Sequence, residues 1–229
     1  MEFYLFLMVQ LPIGLTGVNI VFGCLANFIE RNMKSICVYC GSNPGLLPEY
    51  RVAAHEVGTL FAEQNIRLVY GGGRVGLMGI MADACLAAGG LVTGVIPRKL
   101  MEKEVGHHGV TELHVVETMH ERKALMTTLC EGFIALPGGY GTLDELFEAL
   151  TWQQLGYHQR PVGLLNVAGF YDKLLDFLDH VTTQHLLRPI HRHQLVADSS
   201  LPALLVRMQQ HKPTESDKWL AHIATENNH

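Results

Sequence analysis

Short apolar runs alternate with amphipathic stretches along residues 33–210. The runs predict buried strands, and the stretches between them place apolar residues at the spacing of one helix face. The predicted strands are 35–40, 66–70, 91–96, 113–116, 133–136, 162–166 and 195–197, and the predicted helices are 48–64, 78–88, one that opens at Thr118, 143–155, 170–181 and 201–209. A polar loop is predicted over 98–109.

The regular alternation of strand and helix, without an internal repeat or linker, predicts a single α/β domain. We expect a Rossmann-like, doubly wound parallel sheet. Ligands of such sheets bind beyond the carboxyl ends of the strands. Loops that are far apart in the sequence should therefore converge at one edge.

The segments that flank residues 33–210 differ from this domain. Residues 3–29 are apolar and long enough to span a bilayer, although they lack the positive start of a signal peptide. An inserted segment would leave the rest on the cytoplasmic side, because Arg31 and Lys34 follow it. The interpretation we favour is that residues 1–32 reflect an artefactual start and that the domain begins at Met33. Both interpretations predict a cytoplasmic domain, followed by a polar, mobile tail at 211–229.

Composition narrows the possible partners. The chain has 229 residues, 48% of them hydrophobic, and a formal net charge of -5. No basic run stands out, so a nucleic-acid polymer is not an expected partner. Cys37 and Cys40 form a C-x-x-C pair inside an apolar run, and no second ligand pair accompanies it. We therefore expect reduced, buried thiols rather than a metal site.

The most informative stretch runs from Pro137 to Glu145. It links a predicted buried strand to a predicted helix, and it contains Gly138, Gly139 and Gly141. Glycine lets a ligand approach the backbone, and the free N–H groups of a helix N-terminus attract a phosphate. The competing interpretation is structural, because Thr142-x-x-Glu145 also fits a capping box. The clustering of glycines favours phosphate or nucleotide binding.

A second glycine-rich stretch spans residues 71–79 and contains G-x-G-x-x-G. It follows the second predicted strand rather than the first, and the next strand leads into Pro97-Arg98-Lys99 instead of an acidic residue. Both features argue against a dinucleotide site. We expect this loop to face the same cleft as the first one.

The helix that opens at Thr118 carries Arg122 and Lys123 near its start, where positive charge opposes the helix dipole. A bound anion would offset that cost. Side chains that simply reach water would explain the pattern equally well.

Taken together, four motifs resemble the LOG ("Lonely guy") family of cytokinin nucleoside 5′-monophosphate phosphoribohydrolases, often labelled lysine decarboxylases. The likeness runs from about Met33 to about Gln209 and leaves residues 1–32 without a counterpart. The motifs are Gly71-Gly72-Gly73, Gly76-Leu77-Met78-Gly79, Met119-His120-Glu121-Arg122-Lys123 and the run from Pro137 to Glu145.

The resemblance implies an enzyme that hydrolyses the N-glycosidic bond of AMP or N6-substituted AMP, releasing free base and ribose 5-phosphate. It also implies a homodimer or higher oligomer, and neither metal nor cofactor follows from it or from the sequence. Arg122 and Glu145 match the family's catalytic pair. The substrate contacts that the resemblance implies are Glu104, Arg122, Lys123, Gly139, Tyr140, Gly141, Thr142, Leu143, Asp144, Glu145 and Thr151.

Two other classes stay open. A non-catalytic nucleotide-binding module would share the glycine turns without needing Glu145 and Arg122 in one cleft. A pyridoxal-phosphate decarboxylase would need a lysine for the Schiff base, and Lys123 is the lysine near the motifs.

Overall fold

The computed structural model describes residues 33–103 and 105–212, and these form a sheet of seven parallel strands covered by helices on both faces. The strands are β1 (Ser35–Tyr39), β2 (Arg67–Tyr70), β3 (Val92–Pro97), β4 (Glu112–Val116), β5 (Gly132–Ala135), β6 (Val162–Leu165) and β7 (Leu195–Asp198). The helices are α1 (Pro48–Glu63), α2 (Gly76–Ala87), α3 (Arg98–Met101), α4 (Met119–Thr128), α5 (Tyr140–Gln154), α6 (Asp172–Thr183), α7 (Pro189–Arg192) and α8 (Leu201–Gln209), with a 3-10 turn at Val167–Gly169.

The expected α/β fold is confirmed, and the predicted strands and main helices are all present. Two short helices were not predicted. α3 lies in what the sequence indicated as a polar loop, and α7 follows α6. Each is a single turn of four residues, too short to show a helical period. Both begin beside a proline, whose fixed φ suits a helix start.

Some predictions concern residues that lie outside the described part of the chain. These are the membrane or artefact interpretations of residues 1–32, the role of Glu104, and the tail beyond residue 212. Within 33–103 and 105–212, no helix combines the length and the apolar character needed to cross a membrane.

The strand order is β4-β3-β2-β1-β5-β6-β7, so the direction of winding reverses between β1 and β5. A reversal of this kind opens a crevice between the loops that leave the two neighbouring strands. Here those loops are the turn that starts at Gly41 and the glycine turn that starts at Pro137.

Apolar side chains on the two faces of the sheet form two core layers. Along β1, Ile36 and Val38 point to the layer beneath α1, α2 and α8, whereas Cys37 and Tyr39 point to the layer beneath α4, α5 and α6. Cys40, which follows β1, belongs to the first layer. Cys37 and Cys40 therefore lie on opposite faces and cannot share a ligand. The described residues contain no group of three or more His, Cys, Asp or Glu side chains placed to hold a metal.

A buried histidine joins the end of α5 to the segment that precedes β6. His158 Nε2 lies 3.0 Å from the carbonyl oxygen of Ala149, and its Nδ1 accepts the backbone N–H of Arg160 at 3.2 Å. The neutral ring with its proton on Nε2 satisfies both contacts. Burial, helped by the charge of Arg160, lowers the pKa of His158 to about 4.

This histidine predicts a pH-dependent stability. Because its pKa is lower in the folded chain than in the unfolded one, the unfolded state binds the extra proton first as pH falls below about 6.5. We expect the free energy of unfolding to fall by on the order of 2 kcal/mol between pH 7 and pH 4.5 from this residue. Urea titrations of wild type and His158→Gln measure it, with His108→Gln, an exposed histidine, as the control. An equal pH slope in all three proteins would contradict the assignment.

Candidate active site

A cleft of about 480 Å³ opens at the carboxyl edge of the sheet. Residues that follow β1, β2, β3 and β5 line it, together with side chains from α2, α4 and α5. The two glycine-rich loops face this one cleft, as the sequence predicted. So do both predicted catalytic side chains, Arg122 and Glu145.

The N-terminus of α5 forms one wall of the cleft. The helix begins at Tyr140, its N-cap is Gly139, and no side chain caps it. The first amides of a helix have no partner within the helix, and here no acidic residue lies in the first turn. These amides present a positive dipole end to the cleft, which suits a phosphate.

The capping-box interpretation of Thr142 and Glu145 is wrong. The sequence placed the start of the helix near Leu143, but it starts at Tyr140, so Thr142 lies inside the first turn and is not the N-cap. Gly139 takes the N-cap position, where glycine is well tolerated. Glu145 is consequently free of a capping role.

The glycines of this turn serve two different purposes. At Gly138, a Cβ atom would lie 2.1 Å from the Thr142 hydroxyl, so glycine is needed for packing inside the chain. At Gly139 and Gly141, no described atom lies within 4 Å of the place a Cβ would occupy. Internal packing does not require glycine at these two positions, and the open space above them is where a ligand can reach the backbone.

Arg122 is buried and firmly held, which the sequence did not predict. Its Nε donates to the carbonyl of Val95 at 3.1 Å, and its Nη2 donates to the carbonyl of Gly71 at 3.2 Å. Its Nη1 lies 3.4 Å from Glu145 Oε1. Two backbone carbonyls therefore fix the plane of the guanidinium. The alternative that this side chain simply reaches water is ruled out.

Glu145 is the other half of a buried ion pair, since its side chain is 10% exposed and that of Arg122 is 11% exposed. Burial raises the pKa of Glu145, while the positive charge of Arg122 opposes this shift. A carboxylate with a raised pKa is a stronger base than an ordinary one. The pair is thus placed for chemistry, because both groups also line the cleft.

Hydrogen bonds at Gly41 fasten the loops of the cleft to one another. Gly41 donates its N–H to the carbonyl of Pro137 at 3.0 Å, and its own carbonyl accepts the N–H of Leu77 at 3.1 Å. These two bonds therefore join three segments into one rigid rim of the cleft: the turn after β1, the glycine turn that starts at Pro137 and the start of α2.

The other predicted contact residues divide into two groups. Tyr140, Gly141 and Thr142 line the cleft with Gly139, whereas Leu143 packs partly against the core. Lys123, Asp144 and Thr151 do not line it. Lys123 is paired with Asp144 and Glu148, and the Thr151 hydroxyl donates to the carbonyl of Phe147 at 2.7 Å on an exposed part of α5. Substrate contacts of Lys123, Asp144 and Thr151 stay predictions.

An apolar wall that was not predicted from the sequence lines the same cleft as the start of α5. It consists of side chains from the start of α2, from β3 and from the segment after it, namely Val75, Met78, Ile96, Leu100 and Val105. Ile96 ends the predicted strand 91–96, and Leu100 and Val105 lie in the loop after it. Their place beyond the carboxyl end of a strand is the signal that could have revealed them.

Comparison with known proteins identifies relatives of the chain. Residues 78–208 match a family model described as "possible lysine decarboxylase". The chain is 47% identical to a cytokinin riboside 5′-monophosphate phosphoribohydrolase of Arabidopsis thaliana over 81% of this chain and 87% of that protein. It is 46% identical to a probable enzyme of the same name from Oryza sativa subsp. japonica over 80% of this chain and 81% of the relative.

Solved structures share the fold. The molybdenum cofactor binding protein of Rippkaea orientalis aligns with a TM-score of 0.57 at 25% identity, over 77% of this chain and 94% of that one. The molybdenum cofactor carrier protein of Chlamydomonas reinhardtii aligns with a TM-score of 0.57 at 20% identity, over 77% and 96% of the two chains. At that identity the second match shows the fold alone.

The contrast between two glycines gives a stability prediction. A Cβ at Gly71 would lie 1.8 Å from Arg122 Nη2, so Gly71→Ala should lower the free energy of unfolding by about 1–3 kcal/mol through overpacking. Gly141→Ala is the matched control. It meets open space within the first turn of α5, so we expect it to be neutral or stabilising by up to about 1 kcal/mol. Urea unfolding measures both, and equal effects would contradict the placement of Arg122.

Proposed function

The chain belongs to the LOG family of cytokinin riboside 5′-monophosphate phosphoribohydrolases, and we propose on this basis that it hydrolyses the N-glycosidic bond of cytokinin nucleotides, releasing free base and ribose 5-phosphate. The observation that carries the proposal is the buried Arg122–Glu145 pair, which lies in one cleft with the uncapped N-terminus of α5.

The 5′-phosphate of the substrate would bind at Gly139, Tyr140, Gly141 and Thr142. The unpartnered amides of the first turn supply hydrogen bonds, and the helix dipole favours the negative charge. The open space above Gly139 and Gly141 admits the phosphate oxygens. Since Glu145 is one turn further along α5, a phosphate held at the helix start brings the ribose towards this carboxylate.

Cleavage breaks the C1′–N bond, and its electron pair leaves with the base. The sugar becomes oxocarbenium-like as the bond lengthens. Glu145 either stabilises that positive charge or takes a proton from the water that attacks C1′. Its raised pKa suits the second role, because a base with a pKa closer to neutrality transfers protons more effectively.

Arg122 cannot be the acid that protonates the leaving base, because a guanidinium keeps its proton at neutral pH. Two of its N–H groups bind the carbonyls of Val95 and Gly71. The guanidinium therefore keeps a fixed position next to Glu145. We infer that it orients this carboxylate and stabilises negative charge that develops on the base.

The base would lie against the wall formed by Val75, Met78, Ile96, Leu100 and Val105. Apolar surface of this kind favours a substituted purine, because burial of each CH₂ group contributes about 0.8 kcal/mol. An N6 substituent on the adenine, as in a cytokinin nucleotide, provides such groups. This wall supports a cytokinin nucleotide over AMP as the preferred substrate.

The decarboxylase alternative lacks a suitable lysine. No lysine lines the cleft in the described part of the chain, and Lys123 is engaged by the carboxylates of Asp144 and Glu148. A Schiff base requires a free amine that faces the cofactor. The label of the family model is therefore not supported as an activity of this chain.

Replacing the catalytic carboxylate tests the proposal. Glu145→Gln keeps the shape and the hydrogen-bonding capacity but removes the charge, so turnover should fall on the order of a hundredfold or more while nucleotide binding persists. Free base released from N6-isopentenyl-AMP measures turnover, and calorimetry measures binding.

Glu56→Gln is the matched control, since Glu56 is an exposed carboxylate of α1 outside the cleft. It should keep full activity. Full activity in Glu145→Gln itself would defeat the catalytic assignment of Glu145. A wild type that binds the nucleotide but releases no free base would instead make a non-catalytic nucleotide-binding module the better account.

The phosphate anchor makes a second prediction. Binding energy at the start of α5 positions the distant glycosidic bond, so the matching nucleoside should react at least about a hundredfold more slowly in kcat/KM than the nucleotide. Parallel assays of N6-isopentenyladenosine and its 5′-monophosphate measure the ratio. Comparable rates would show that the amides of α5 do not hold the phosphate.

We propose that the chain also self-associates, through an apolar groove of about 300 Å³ between α5, α6 and α7. Phe147 is 36% exposed, Phe177 is 58% exposed and Leu186 is 83% exposed, so the groove leaves large apolar side chains in water. Leu150 of α5 also lines the groove. A second copy of the chain would cover this surface.

Charge in the groove should break the assembly. Phe177→Asp should yield monomer at micromolar concentrations where the wild type is a dimer or larger, because an interface cannot bury an unpaired carboxylate. Leu46→Asp is the control, since Leu46 is 94% exposed and lies outside the groove. Sedimentation measures the mass. A wild type that is only monomeric would refute self-association.

We propose the cytoplasm as the location of the domain. This is supported by Cys37, Cys40, Cys85 and Cys130, which are unpaired thiols, as a reducing compartment favours.

A further inference from the structure

A second ion-pair cluster lies one residue away from the Arg122–Glu145 pair. The Nζ atom of Lys123 is 3.1 Å from Asp144 Oδ2 and 3.0 Å from Glu148 Oε1. Lys123 follows Arg122 on α4, and Asp144 precedes Glu145 on α5. The two clusters therefore run side by side between the same two helices.

The geometry of α5 explains how one lysine reaches two carboxylates. Asp144 and Glu148 are four residues apart, so they lie on one face of the helix. Lys123 is largely buried, with 12% of its side chain exposed, and Glu148 is 22% exposed. Burial by itself would lower the pKa of the Lys123 ammonium, but hydrogen bonds and charge from Glu148 and Asp144 outweigh it and raise this pKa. The ammonium group of Lys123 therefore stays charged, and from α4 it attracts the two carboxylates of α5.

We propose that Lys123 is a positioning residue, which ties α4 to α5 and so fixes the distance between Arg122 and Glu145. The inference rests on the proposed hydrolase function and adds to it a role that differs from direct contact with the substrate. The Arg122–Glu145 ion pair also joins α4 to α5, but its 3.4 Å separation is longer than the two contacts of Lys123.

Direct contact with the substrate phosphate is the competing role. It would require Lys123 to leave two carboxylates and to enter a cleft that it does not line. The two roles differ in what the carboxylates do. If Lys123 ties the two helices together, Asp144 and Glu148 are essential for activity. If Lys123 binds the phosphate, the two carboxylates compete with the substrate for its ammonium group.

The test compares three variants with the wild type. Lys123→Met keeps the length of the side chain but removes the charge, and it should lower kcat on the order of tenfold or more with KM changed less than about threefold. Lys123→Arg should retain most of kcat, because a guanidinium can bind both carboxylates. A double variant, Asp144→Asn with Glu148→Gln, should lower kcat like Lys123→Met. Lys173→Met, on the exposed face of α6, is the matched control and should behave as wild type.

Several outcomes would overturn the proposal. One is a Lys123→Met protein that raises KM and keeps kcat, and another is a double carboxylate variant with full kcat or a lower KM; both would indicate a phosphate contact. Should Lys123→Met prove insoluble, the double variant and Lys123→Arg decide the question. A wild type that releases no free base would refute the proposed function itself. An active wild type whose variants are all unaltered is a different result, and it would refute only the role of Lys123.

Discussion

The buried ion pair between Arg122 and Glu145 sets the requirements that the rest of the site meets. Taking a guanidinium and a carboxylate out of water costs several kcal/mol per ion, and their attraction offsets this only when further hydrogen bonds satisfy the remaining groups. The carbonyls of Val95 and Gly71 supply those bonds to Arg122. Gly71 must lack a side chain for this, since a Cβ there would collide with the guanidinium. The packing of Arg122 thus explains why residue 71 is a glycine, and this glycine does not require a bound dinucleotide.

The topology of the sheet brings these groups together. Because all strands are parallel and the winding reverses between β1 and β5, the loop that carries Gly71, the end of β3 that carries Val95 and the turn that leads into α5 meet at one edge of the sheet. Hydrogen bonds at Gly41 then hold two of those loops in register. A phosphate site and a buried acid–base pair can be this close because one helix, α5, supplies both its N-terminal amides and Glu145.

Local patterns were sufficient to predict much of this. Short apolar runs and helical spacing predicted the strands and main helices in their order along the chain. Glycines after a buried strand predicted a turn suited to phosphate binding. The state of Arg122 could not be predicted from local patterns, because its partners at Val95 and Gly71 are 27 and 51 residues away in the sequence. The same holds for Lys123, whose carboxylates belong to another helix. The start of α5 was placed too late, near Leu143 rather than Tyr140, which is why a cap at Thr142 stayed open as the competing interpretation.

The most direct measurement of the central claim is a full account of the products formed from N6-isopentenyl-AMP. If the phosphate stays bound at α5 while the Arg122–Glu145 pair acts at C1′, each substrate consumed must yield one free base and one ribose 5-phosphate. Chromatography with mass detection quantifies both over many turnovers. Equal amounts of the two products, without inorganic phosphate, are the result that this account predicts. Release of inorganic phosphate and nucleoside, or substrate recovered intact, would contradict it.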